Sequence, residues 1–79
     1  MITQEEIQPV IQALYKEIRM LRSYRKNLRL FILENRNSLN SSELYKIIIE
    51  CERLTSEIDF LIQEKKEYNQ FKIANFKTN

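Results

Sequence analysis

Seventy-nine residues with one cysteine, no histidine, no glycine and a formal charge of +2 make one domain and exclude several chemistries at once. Without histidine there is no imidazole acid–base catalysis or imidazole metal site, and without glycine no phosphate-cradling loop. The same lack of glycine makes tight β-hairpin turns hard to build, so an all-α chain is expected, burying roughly 60–65% of its unfolded surface.

Isoleucine, lysine and asparagine are abundant, a bias shared with AT-rich bacterial and phage coding. Cys51 has no second cysteine to pair with, and at a core position it reads as a small buried hydrophobe. The first residues are acidic and lack the apolar run of a signal peptide. The longest apolar run, Leu30 to Leu33, is far short of the ~20 residues that cross a bilayer. The expectation is a cytoplasmic protein with no membrane segment, no metal and no cofactor.

Thr3 followed by Glu6 reads as a capping box that starts a helix near Gln4. Pro9 lies about one turn inside, and the preferred reading is a continuous helix kinked there. Ile7, Ile11, Leu14, Ile18, Leu21, Leu28 and Ile32 repeat at steps of four and three, interrupted by Arg25, so helix 1 is expected over 4–35. Residues 36–42, rich in Asn and Ser, form the loop. Asn40 with Glu43 makes a second capping box. Leu44, Ile47, Cys51, Leu54, Ile58 and Leu61 then continue as a heptad stripe, extended by Lys65 and Tyr68. Helix 2 is expected over 43–70. The tail, 71–79, keeps Phe71, Ile73 and Phe76 among polar residues and leaves open whether it prolongs the helix.

A short loop makes the helices antiparallel neighbours in a coiled-coil-like hairpin. Pairing positions whose numbers add to 79 sets Ile32 on Ile47, Leu28 on Cys51, Leu21 on Ile58 and Ile18 on Leu61. Arg25 then faces Leu54, within reach of Glu50 and Glu57, and Lys65 faces Leu14. Each of these polar residues packs its stem and sends its charge to the edge. Beyond this seam, Val10, Tyr24, Phe31, Met20, Leu30 and Leu33 on helix 1 are apolar. So are Ile48, Ile62, Tyr45, Ile49 and Phe60 on helix 2. A lone hairpin leaves too many of them in water, which implies a second surface. The expected answer is a homodimer forming a four-helix bundle, with Tyr24, Phe31, Ile48 and Ile62 joining the core, and next a protein partner.

Charge is divided between the helices. From Lys16 to Arg29 there are six bases and one acid, and from Glu43 to Glu64 six acids and two bases. Glu43, Glu50, Glu57 and Glu64 form a ladder at heptad position g, and Arg22, Arg29 and Arg36 one at e. In an antiparallel hairpin these ladders do not meet within a chain; they meet where helix 1 lies parallel to helix 2 of another copy. The plain alternative is two solvated edges, since exposed ion pairs contribute about 0–1 kcal/mol. Arg19, Arg22, Lys26 and Arg29 make a basic stripe that suits phosphates and keeps nucleic-acid binding open.

Leu54-Thr55-Ser56-Glu57-Ile58-Asp59-Phe60-Leu61-Ile62 resembles the signature of the short sporulation-regulating aspartyl-phosphate phosphatases, which are small antiparallel helical hairpins. Their second helix carries Ser-x-x-x-Asp. The resemblance implies that Thr55 stands for the serine, and that Asp59 enters a phosphorylated response regulator to assist hydrolysis of its acyl phosphate. The match covers nine residues, with threonine in place of serine and a longer stretch between loop and motif. The leading expectation is a non-catalytic interaction module, a regulator or adaptor, contacting its partner through Leu30, Leu33, Tyr45 and Ile49 at the hairpin tip. The phosphatase and the nucleic-acid reader are the alternatives.

Overall fold

A computed structural model describes residues 3–76, with side chains placed throughout except at position 4 and positions 72–76. It is an all-α hairpin of two antiparallel helices, α1 (Gln4–Glu34) and α2 (Ser41–Phe76). The start of α1 follows from its cap. Thr3 is extended, its Oγ1 accepts the Glu6 N–H at 3.2 Å, and the Glu6 carboxylate accepts the Thr3 N–H at 3.4 Å. The helix runs through Pro9 as one segment. Proline has no N–H for the Glu5 carbonyl, but Glu5 and Pro9 are both exposed, where water can take that role.

Asn35 ends α1 by aiming both its backbone N–H and its Nδ2 at the Phe31 carbonyl, 3.0 and 2.9 Å away. Its own carbonyl accepts from the backbone of Ser38 and Leu39 and from the Ser38 hydroxyl. Asn40 then caps α2: its Oδ1 accepts the Glu43 N–H at 2.8 Å, and Glu43 accepts the Asn40 N–H at 3.2 Å. Because Asn40 is itself the cap, Ser41 and Ser42 form the first turn of α2 and not loop, so the helix starts two residues before the expected 43. It also continues past the expected end at 70 to Phe76, through a stretch with no glycine or proline to stop it. Residues 77–79 of the tail, and the side chains of Ile73 and Phe76, lie outside the described residues.

The heptad stripes meet as the spacing predicts. Ile7, Ile11, Ile18, Cys51, Leu54, Ile58 and Leu61 are buried. Ile18, Ile58 and Leu61 form a cluster flanked by Leu14, Leu21 and Ile62. Towards the loop Leu28, Ile32, Leu44 and Ile47 are only half-buried, and Tyr68 at the other end is exposed. Two cross-helix contacts fix the register. Arg25 donates to Thr55 Oγ1 at 2.8 Å, and Lys65 Nζ sits 4.6 Å from the centre of the Tyr15 ring. Each lies one residue from the expected pairing. The charge of Arg25 ends on Thr55, while Glu50 and Glu57 hold Arg53 of their own helix.

The seam is a single layer and the molecule a rod, 61 × 15 × 15 Å, with a radius of gyration of 17.8 Å against about 12 Å for a compact chain of this length. Its accessible surface is 6399 Å², where a compact protein of this mass exposes about 5,100 Å². The hairpin therefore buries about 54% of its unfolded surface, below the expected share. Tyr24, Phe31 and Ile48, expected in the core of a homodimer, are exposed in the single chain, because one seam covers only the a and d positions and part of their flanks.

Candidate interaction surfaces

With a and d in the seam, the remaining heptad positions divide into two broad faces and two backs. Positions e and b of both helices share one face, since antiparallel pairing sets e beside e. The structure shows this directly: Arg29, Ile48, Glu52 and Thr55 line one groove, and Tyr15, Arg19, Arg22, Ile62, Lys65 and Lys66 another of about 210 Å³. Positions g and c share the opposite face, where Glu64, Glu67 and Phe71 flank Ile7 and Tyr68.

The e/b face is basic. Between residues 7 and 71 it carries Arg19, Arg22, Lys26 and Arg29 from α1 and Lys65 and Lys66 from α2, against Glu52 and Asp59. The basic stripe of helix 1 is thus extended across the seam by two lysines that the sequence reading did not include. The register was the available signal, since it sets 65 and 66 beside 14 and 15. Among the described residues none of these six cations is in an ion pair, and Lys65 instead covers Tyr15. Arg36 lies in the loop beyond α1.

The g/c face is acidic. It bears Glu43, Glu50, Glu57 and Glu64 together with Glu17, Glu34 and Glu67, against Lys46 and Arg53. Arg53 Nε and its two terminal nitrogens reach Glu50 and Glu57, three residues before it and four after, the two spacings at which helix side chains meet. The Arg53 hydrogen bond holds the Glu50 carboxyl below its usual pKa, more than partial burial raises it, and Glu50 in turn lifts the Arg53 guanidinium.

Apolar side chains remain in water on both faces. Leu33 and Tyr45 on the e/b face are 62% and 65% exposed, and Ile48 beside them 41%. Met20 and Phe60, level with each other on the g/c face, are 63% and 62% exposed, and Tyr24 and Phe31 further along the same face are exposed too. Of the four expected tip residues, Leu33 and Tyr45 share a face. Leu30 and Ile49 are also exposed, but each occupies position f of its own helix, farthest from the seam, so they point apart. The four do not make one patch.

Thr55 and Asp59 sit one turn apart on α2. Asp59 is exposed, as entry into a partner requires. The Thr55 hydroxyl accepts from Arg25 and donates to the Cys51 carbonyl at 2.9 Å, so its only proton is committed inside the hairpin. Among the described residues there is no group of three or more side chains fit to hold a metal, and no helix is long and apolar enough to cross a membrane. Comparison with family models, curated proteins and solved structures returns no match.

Proposed function

We propose that this hairpin is a small non-catalytic interaction protein, a regulator or adaptor, that works by presenting helix surfaces to other protein chains. The observation that carries this reading is the row of large apolar side chains left exposed on both broad faces of a rod with only one seam. Exposed apolar patches rimmed by charge are the usual mark of protein contact sites. At the loop end Leu33, Tyr45 and Ile48 supply an aromatic and aliphatic anchor of the kind that dominates interface energetics. The test is affinity capture with the parent chain and with Leu33→Asp/Tyr45→Asp. A partner retained by the parent and lost by the variant supports the reading. Capture unchanged by the variant, or no specific partner at all, contradicts it.

The basic face carries a second reading. Six cations gathered from both helices, with Tyr15 among them, form a surface able to follow a phosphate backbone. Titrating salt against binding of single-stranded DNA or RNA checks it: affinity should fall steeply as salt rises, and no binding at low salt removes it.

A further inference from the structure

The two charge ladders lie on opposite broad faces of one hairpin, and that placement limits how two copies can meet. We propose that the chain self-associates by docking the basic e/b face of one copy on the acidic g/c face of the next, giving an open-ended, head-to-tail stack. The inference deepens the reading of the hairpin as an interaction module and rests on it, with a second copy as the occupant.

Three observations lead there. The e/b face holds six cations against two acids, and the g/c face seven glutamates against two cations. A two-fold dimer buries the same face of both copies, so it sets basic against basic or acidic against acidic, whereas the head-to-tail contact sets opposites together. Next, both faces carry exposed apolar residues between their charges, Leu33, Tyr45 and Ile48 on one and Met20, Tyr24, Phe31 and Phe60 on the other. Charge then selects which faces meet, and apolar burial holds them. Last, the accessible surface of 6399 Å² exceeds that of a compact chain by about 1,300 Å², which shared between two contacts is about 650 Å² from each copy at each contact, within the roughly 600–1,000 Å² a partner gives to a specific interface.

Turning the second copy half a turn about the stacking axis lays its α2 along α1 of the first, running parallel. Arg22 and Arg29 then follow the ladder of Glu57 and Glu64. Arg53 already bridges Glu50 and Glu57, but it adds one charge to a face that stays strongly negative, and Glu64 and Glu67 lie outside that bridge.

The geometry differs from a closed four-helix bundle in a measurable way. Sedimentation equilibrium of the parent chain at low salt should show a mass that climbs with concentration past twice the 9.6 kDa chain, and fall back as salt rises. Arg22→Glu/Arg29→Glu and Glu64→Lys/Glu67→Lys should each stay monomeric alone at concentrations where the parent associates, because the first takes the e/b face from four net positive charges to none and the second takes the g/c face from five net negative charges to one. Mixed one to one, the two should associate again. Circular dichroism checks that both variants keep parent helicity, and Arg22→Gln/Arg29→Gln, which only removes charge, should weaken association at least tenfold. A parent that stays monomeric overturns the proposal. So does a mass that stops at two copies, or self-association that changes with only one face. A parent whose self-association survives Arg22→Glu/Arg29→Glu while single-stranded DNA binding is lost gives the basic face to nucleic acid and also overturns it. Capture of a different protein through Leu33 and Tyr45 is unaffected by these outcomes, so the two readings fail separately.

Discussion

Arg25 is the one arginine on the seam stripe, and its neighbours decide its cost. Half-buried, it directs its guanidinium to Thr55 Oγ1, while Thr55 donates back to the Cys51 carbonyl. Removing the acceptor leaves a charged donor short of a partner, so Thr55→Val should cost about 1 kcal/mol, which for a domain of this size lowers the melting temperature by roughly 4–8 °C. Arg25→Leu should be neutral or stabilising, since an apolar side chain fills the same layer without desolvating a charge. In the Arg25→Leu background the cost of Thr55→Val should shrink; an equal cost in both backgrounds contradicts the contact. The Glu50–Arg53 pair makes a pH prediction at the same scale. Glu50 titrates lower when folded because Arg53 hydrogen-bonds its carboxylate. Its contribution is therefore present above the unfolded carboxyl pKa and lost as pH falls through the depressed folded value. Parent and Arg53→Gln should differ slightly in thermal stability at neutral pH and converge in acid. A difference that persists at the lowest pH contradicts the assignment.

At the scale of elements, both helix starts are governed by one device, a short polar cap with glutamate three residues on. Asn40→Ala removes the acceptor of the Glu43 N–H and should cost about 1 kcal/mol, read by chemical denaturation with an unchanged slope; no loss of stability would mean that α2 is not capped there. These caps, the heptad stripes and the register were legible in the sequence because each depends on spacing alone. What spacing did not reveal has physical reasons. With Asn40 as cap the next residue is already helical, so Ser41 and Ser42 belong to α2 although their hydroxyls read as loop. The end at 70 had no breaker behind it, and α2 ran on to Phe76. Arg25 sits near Glu50 and Glu57 by register, but Arg53 claims both from within its own helix, where no loop has to place it. The tip patch of Leu30, Leu33, Tyr45 and Ile49 was legible as exposure and not as a surface. Heptad position b puts Leu33 and Tyr45 on one face, whereas f turns Leu30 and Ile49 apart.

For the whole molecule the governing fact is that one seam covers two long helices. The rod buries about 54% of its unfolded surface, and its tightest layers, around Ile7, Leu54 and Ile58, lie along a line one residue deep. Such a hairpin is marginal alone and gains stability from whatever covers its flanks. Charge is split between its broad faces while the total stays near neutral, so steering comes from orientation and not from net charge. The most direct measurement is the melting temperature of the purified chain against its concentration. If the flanks are covered by further copies, a hundredfold rise above the dissociation constant should raise the melting temperature by roughly 10–20 °C. A high melting temperature that does not move with concentration would show that the single seam suffices and contradict the account.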